Sequence, residues 1–357
     1  MVNKTVALVG TPCEIMAASK IQHFTESPIE FKIGLFCMEN FSYSYFQALL
    51  LEYDLTMEEI EKFRIEKGYA FMFLKNGQKM KIPLSVAKKV VRKNCNICVE
   101  LTSETSDISV GSIGSDKGWS TVIIRTDAGL KVINDAIEHG YIEAKDLTST
   151  QLKLLNKIAG NKIKRNFENI DTREFKARPV LYQREISDKT IFREISSANF
   201  ADLKGNVIDV GACVLCGACE YICPENIITI ADSKPRKRGK CPEDCHACFA
   251  VCPRTFIPTN LRNDNSNNLG DYQKIVTVRS AKNYHGQDGG VVTSILDYLI
   301  TYQIVTGALV VDTKEDSPWK PVAKITDDID EILKASGTKY AVCPVFKPLK
   351  DYNEDVI

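Results

Sequence analysis

The sequence predicts an α/β protein whose mixed-sheet layer is split into two segments by a small cysteine-rich α+β module. Three observations predict it. Apolar strands alternate with turns and helices through residues 1–178 and again through 272–357. Eight of the thirteen cysteines crowd into the stretch from Cys213 to Cys252, which places the module at 206–260. Asn-, Asp- and Ser-rich sequence at 261–271 reads as a linker behind the module, and 179–205, without strong periodicity, as a connector ahead of it.

The cysteine runs carry the most specific signal. Cys213-Val-Leu-Cys216-Gly-Ala-Cys219-Glu-Tyr-Ile-Cys223-Pro224 is C-x2-C-x2-C-x3-C-P. Cys241-Pro-Glu-Asp-Cys245-His-Ala-Cys248-Phe-Ala-Val-Cys252-Pro253 repeats it with one extra residue in the first gap. This is the ligand pattern of a bacterial-type 2[4Fe-4S] ferredoxin, in which the last cysteine of each run crosses to the other cluster. The spacing therefore assigns Cys213, Cys216, Cys219 and Cys252 to one cluster, and Cys241, Cys245, Cys248 and Cys223 to the other. Zinc knuckles pair C-x2-C motifs across a longer spacer, and disulfide frameworks belong to small secreted domains; neither fits as well.

Composition narrows the class. Forty-six basic and forty-six acidic residues give a formal net charge of zero, so no global field draws the chain to nucleic acid. With 44% hydrophobic and 26% charged residues it reads as an ordinary soluble globular protein. No apolar run approaches the roughly 18 residues that span a bilayer. Met1-Val-Asn-Lys4 leads directly into a strand and does not read as a secretory signal. So many cysteines point to a reducing cytoplasm.

Taken in order, Lys4–Gly10 reads as a buried strand, Glu14–His23 as a helix and Phe31–Cys37 as a second strand. Helices are expected at Phe41–Tyr53 and at Thr56–Phe63, where Thr56 and Glu59 form a capping-box pair. Asn76-Gly77 marks a hairpin between Tyr69–Leu74 and Lys79–Pro83. Pro83–Arg92 reads as helical, Asp107–Gly114 and Trp119–Arg125 as strands, and Asp127–His139 as a helix. The basic segment Leu147–Arg178 reads as helical in its first half. Lys234–Lys240 is strongly basic, either a solvated loop or a docking face for an acidic partner. Beyond the module, Tyr272–Arg279 and Thr306–Asp312 read as strands, Val291–Tyr302 and Asp327–Ser336 as helices.

Five cysteines lie outside the module. Cys13 and Cys37 sit where strands end, Cys95 and Cys98 form a C-x2-C, and Cys343 beside Pro344 reads as packing. Loop ends above an α/β sheet are where distant ligands converge. Spacing alone leaves open a third cluster, a zinc site, a redox pair and plain buried cysteines. Gly286-Gln287-Asp288-Gly289-Gly290 opens the helix that carries Thr293, and backbone N–H groups at a glycine-flanked helix start suit a phosphate. Gly111, Ser112 and Gly114 form a second small-residue turn. Trp119 either lines a ring pocket or fills core. Lys67 and Lys339 are candidate contacts for anionic groups, and His285 is the one histidine beside a glycine turn.

Gly10-Thr-Pro-Cys13, Gly34-Leu-Phe-Cys37, Cys95-Asn-Ile-Cys98, Asp107–Gly114 and Gly118–Arg125 together resemble the C-terminal part of the coenzyme F420-reducing hydrogenase and dehydrogenase beta-subunit family. Gly286–Thr293, Pro318–Pro321 and Ser336–Tyr340 resemble its N-terminal part. The order is inverted, since that family places the ferredoxin module first, then the N-terminal part, then the C-terminal part. A permuted chain would close one fold with its ends side by side. A cut from a longer protein would leave two half-domains needing partners.

The resemblance implies an iron–sulfur flavoprotein subunit. It would bind FAD, exchange hydride with the deazaflavin coenzyme F420, and pass electrons to or from a partner hydrogenase, formate dehydrogenase or reductase. It implies that Cys13, Cys37, Cys95 and Cys98 hold a third cluster and that the glycine turns serve the flavin. Hydride carries two electrons and each cluster takes one, so a flavin belongs between them and no protein acid or base is needed. Two other functions compete: a non-catalytic polyferredoxin-type electron carrier, and a ferredoxin-dependent flavin reductase with a substrate other than F420.

Overall fold

The computed structural model describes residues 4–354 except 67, 232, 263–266, 283, 285–287 and 316. Its main sheet is built by both ends of the chain. β1 (Val6–Gly10) and β2 (Ile29–Leu35) open it. β3 (Ile60–Glu66), β4 (Tyr69–Leu74) and β5 (Lys79–Pro83) form a separate antiparallel sheet. β6 (Ile108–Gly111), β7 (Ser120–Ile124) and β8 (Ile142–Asp146) return to the main sheet. β9 (Ile228–Ala231) and β10 (Lys234–Lys237) pair within the module. β11 (Lys274–Ser280), β12 (Gly307–Lys314) and β13 (Ser317–Thr326) complete the main sheet, whose order is β13-β12-β1-β2-β6-β7-β11-β8.

β1 is apolar throughout because both of its faces are covered, and Val6, Ala7 and Leu8 are fully buried. It runs parallel to β12 on one side, with Val6 opposite Gly307, and parallel to β2 on the other. β11 lies antiparallel between β7 and β8. The late segment thus inserts strands at two separate places in a sheet begun by the early one. Near the ends of the described chain, the Tyr352 hydroxyl lies 2.8 Å from Thr306 Oγ1, and the Lys4 ammonium sits 5.1 Å from the Tyr352 ring centroid.

The helix Pro12–Phe24 follows β1 through a capping box, in which Thr11 N donates to Glu14 Oε2 at 2.7 Å and proline takes the first helical position. Its residues Ile15 to Ile21 are buried on every side, because the sheet covers one flank and the cysteine module the other. Val214, Cys216, Ala218 and Val251 of the module share one core with Ile15, Ala18, Val345 and Phe346. Each such aliphatic side chain, fully buried, contributes about 1.5–3 kcal/mol.

Several expectations need correction. Thr56–Phe63 is not a helix. The Thr56–Glu59 box caps a single 3-10 turn, Met57–Glu59, and β3 starts at Ile60. A bulge between Ile60 and Lys62 breaks the two-residue alternation that would have announced the strand. The segment read as helical only in its first half is one helix, Ser149–Phe175. Residues 179–205 carry the helices Asp188–Ser196 and Phe200–Leu203, and Ile191, Ile195, Phe200 and Leu203 pack into one core with Cys219, Cys248 and Phe249 of the module. Among the described residues, no helix is long and apolar enough to cross a membrane.

Candidate iron–sulfur and cofactor sites

The thirteen cysteines are all free of disulfides. In the module, the loop after Cys213 is shaped by two left-handed residues, Leu215 at φ 64° and Gly217 at φ 91°, the latter capping the short helix Ala218–Tyr221. A side chain at Gly217 would put its Cβ 2.9 Å from Pro344 Cβ, so glycine is required there for close approach as well. In the second run the residue before the second cysteine is again left-handed, Asp244 at φ 59°, and aspartate tolerates this better than most. The extra residue of that run therefore leaves this local turn intact.

Cys252 stands close to both runs. Its charge raises the pKa of Cys213, Cys216 and Cys219, although burial is the larger cause for each. Cys248 is pushed up to about 12, by burial first and then by Cys245, Cys252, Cys241 and Cys223. Cys213, Cys216, Cys219 and Cys252 line one small pocket together with Leu203 and Ile208.

β1, β2 and β6 are parallel, so their C-terminal ends share one edge of the sheet. Cys13 lies just beyond β1, Cys37 just beyond β2, and Gly111 ends β6. The 3-10 turn Lys93–Ile97 brings Cys95 to the same edge, and Cys98 follows it. Cys37 is half-buried; desolvation raises its thiol pKa, Lys162 opposes this, and Cys95, Cys13 and Cys98 are all near enough to raise it further. Cys98 differs: burial pushes its thiol up, but Lys162 and Arg254 outweigh burial and bring it to about 7.

The long helix Ser149–Phe175 fixes this group from behind. Lys162, 2% exposed, donates from Nζ to Cys37 O and Glu100 O, both at 2.6 Å. Asn166 Nδ2 donates to Cys95 O at 2.9 Å and to Cys98 O at 2.6 Å. Asn40 N donates to Cys95 Sγ at 3.3 Å. Among the described residues, no three His, Cys, Asp or Glu groups close tightly enough to hold a single ion. A cubane sets its thiolates further apart, one on each iron. Arg254 Nε, buried beside Cys98, has no hydrogen-bond partner in the protein. A cluster sulfide is the kind of acceptor that would satisfy it, so the residues present fit the group.

The cofactor candidates divide. Gly286 and Gln287, with Lys67 and His285, lie outside the described residues. Asp288 and Ser112, from the two small-residue turns, are within hydrogen-bonding reach of each other, and Arg64 and Lys62 of β3 face Asp288. Gly289 N donates to Ser120 Oγ at 3.3 Å, and a Cβ at Gly289 would stand 2.9 Å from Val278 O. Gly290, at φ 67°, caps the helix Val291–Thr301, inside which Thr293 is buried. Gly114, at φ 92°, packs against Gln151 O. Trp119 is half-buried under two cations, Lys145 at 4.3 Å and Arg279 at 4.8 Å from its ring centroid. Lys339 donates to Ala335 O and to Ser336 O beyond the helix Ile329–Lys334. Cys343 is buried near Glu14, and its thiol is pushed up to about 12, chiefly by burial.

Four residues at these sites had no part in the sequence reading: Lys20, Lys162, Asn166 and Arg254. Lys20 is fully buried, and Nζ donates to Cys252 O at 2.7 Å, Thr255 Oγ1 at 2.8 Å and Phe256 O at 2.8 Å. Its signal was available, as a lone lysine within Ile15-Met-Ala-Ala-Ser-Lys-Ile21.

These features define an iron–sulfur protein with a ferredoxin-type module set into a mixed-sheet α/β domain. The family described as "Coenzyme F420 hydrogenase/dehydrogenase, beta subunit" matches in two pieces, its C-terminal part over residues 3–150 and its N-terminal part over 275–350, and "4Fe-4S binding domain" matches 206–229. The chain belongs to the coenzyme F420 hydrogenase/dehydrogenase beta-subunit family, with that family's two parts in inverted order and the 4Fe-4S domain between them. Coenzyme F420 hydrogenase subunit beta of Methanococcus voltae is 36% identical over 184 residues, covering 50% of this chain and 66% of that one. The coenzyme F420-dependent sulfite reductase of Methanocaldococcus jannaschii is 32% identical over 185 residues, covering 47% and 28%. A chain of the solved F420-reducing [NiFe] hydrogenase complex from Methanosarcina barkeri is 32% identical, covering 48% and 62%, with a TM-score of 0.45. The chain thus spans a little under two thirds of the length of the first curated relatives it matches.

Proposed function

We propose that this chain is an iron–sulfur flavoprotein subunit that passes electrons between coenzyme F420 and a partner redox enzyme. The observation that carries the reading is the convergence of Cys13, Cys37, Cys95 and Cys98 on the sheet edge that also holds the Ser112 and Asp288–Gly290 turns. In this reading those four cysteines ligate a third [4Fe-4S] cluster. Cys213, Cys216, Cys219 and Cys252 ligate a second, and Cys241, Cys245, Cys248 and Cys223 another.

FAD, when bound, supplies the exchange between a two-electron hydride and one-electron steps. The chain's own residues position and insulate. Gly289 packs the turn against β11 and β7, the helix start after Gly290 would offer backbone N–H groups to a phosphate, and Ser112 and Asp288 hold the two turns together. Lys162 and Asn166 orient the loops that carry Cys37, Cys95 and Cys98. No proton transfer is asked of any side chain. The names of the relatives, which include an F420 hydrogenase subunit and an F420-dependent sulfite reductase, support F420 as the substrate and a separate redox centre as the partner.

The test is anaerobic purification followed by flavin and iron analysis and by mixing with reduced F420 and an artificial acceptor. Bound FAD and acceptor-dependent turnover of F420 are expected. Protein that carries its clusters but no flavin would instead be a polyferredoxin-type carrier. Flavin-bound protein inert toward F420 would be a reductase with another substrate.

A further inference from the structure

Cys252 ends the second cysteine run, and the chain passes through Pro253 directly into Arg254. Arg254 is 5% exposed. Its guanidinium lies 4.5 Å from the Tyr182 ring centroid, and Nη2 donates at 3.5 Å to Asn94 O, the carbonyl just before Cys95. It is also within hydrogen-bonding reach of Cys98. Its charge acts on Cys13 and Cys95 on one side and on Cys213 and Cys252 on the other. One buried cation therefore faces ligands from two different cysteine groups, and it is tied to the second by two peptide bonds.

Such a placement is costly unless something negative is there. An isolated buried charge is strongly disfavoured, and a bare buried N–H such as Nε costs about 1–3 kcal/mol. Tyr182 and Asn94 leave Nε unpartnered. Anionic clusters on both sides would meet the charge, and their sulfides would accept the N–H.

We propose that Arg254 is the bridge between the third cluster and the ferredoxin pair, joining the Cys13 group to the Cys213 group and raising the potential of the former. This rests on the cluster assignments proposed above. Cys219 and Cys248 also lie close enough to influence each other, so the Cys213 group stands between the Cys13 and Cys241 groups. Between clusters one electron passes at a time and no proton moves: iron in one group is oxidised as iron in the next is reduced. Upstream, bound FAD would take the hydride of reduced F420, release its proton to solvent and pass its two electrons on singly; the partner redox protein takes them at the other end.

The test uses the full chain with clusters loaded anaerobically. Cys98→Ser identifies the electron paramagnetic resonance signal of the third cluster by its loss. Arg254→Gln is expected to move the midpoint potential of that signal to more negative values and to slow severalfold the reduction of the ferredoxin clusters by reduced F420. Arg254→Lys keeps the charge and is expected to recover the potential more than the rate. Full iron content with unchanged potential and rate in Arg254→Gln overturns the bridge. If that variant does not retain its iron, Arg254→Lys decides through the rate, because its shorter side chain withdraws from Asn94 and Cys98; an undiminished rate overturns the bridge. A Cys98→Ser protein that loses neither iron nor signal overturns the third-cluster assignment itself, and the bridge with it.

Discussion

Asn166 donates to two carbonyls that belong to the C-x2-C motif, Cys95 O and Cys98 O. Asn166→Leu takes the donor from Cys98 O, at about 1–3 kcal/mol, and leaves Cys95 O with only the Cys98 N–H, 3.2 Å away. The expected result is selective loss of one cluster's iron with the ferredoxin signals retained, read by iron analysis and electron paramagnetic resonance. Asp288 supports a prediction with a sign. Burial raises its pKa above 3.8, against the opposing pull of Arg64, Ser112 and Lys62. Between the unfolded and folded values the folded state binds the extra proton, so stability falls as pH rises through that window. Asp288→Asn is expected to flatten that slope, by a small amount because the side chain is exposed and solvent screens it, checked by thermal unfolding across pH. The cysteine runs stood out in the sequence because cluster chemistry restricts both residue type and spacing. Lys162, Asn166 and Arg254 did not, because their partners are remote in the chain and a lysine on a polar helix looks solvated.

At the scale of elements, the helix Ser149–Phe175 shows why its second half was missed. Its buried residues are Leu155, Ala159, Lys162, Asn166 and Ile170, a stripe of helical period whose middle is polar. Hydrophobic periodicity vanishes where the helix turns toward the cysteines. β8 went unread for a related reason: only Ile142 of its five residues is buried, so an edge strand offers no alternation. By contrast the Asn76-Gly77 hairpin and the strands β1 and β7 were legible, since turn chemistry and continuous burial leave strong local marks. β2 supplies the element-scale prediction. A Cβ at Gly34 would stand 2.1 Å from the Cβ of buried Ser103, and β2 is held between β1 and β6. Gly34→Ala is expected to cost about 1–3 kcal/mol by overpacking, seen as a lower denaturation midpoint at unchanged slope.

For the whole molecule, the inverted order of the two family parts was legible, but its resolution was not. Strand pairing depends on which edges meet in space, and connectivity can be rearranged while the neighbours stay the same. β12 beside β1, and β11 between β7 and β8, join both parts in one sheet within this chain. The sequence also presented the cysteine module as an insert between connector and linker. In the folded chain the supposed connector is part of the module's core, and the module is fastened to the α/β domain at separate points. Lys20 grips Cys252 O and Phe256 O, Phe346 N donates to Cys216 O at 3.1 Å, and Gly217 lies against Pro344.

That fastening has a consequence for timing. On the cluster assignments proposed above, a module held on several sides keeps the distance between clusters fixed, and an electron crossing it needs no diffusive search. Internal transfer, followed by rapid mixing, is expected to be indifferent to added glycerol or sucrose. Delivery to a separate partner protein should slow as the solvent thickens, and the two stages can be told apart by viscosity alone.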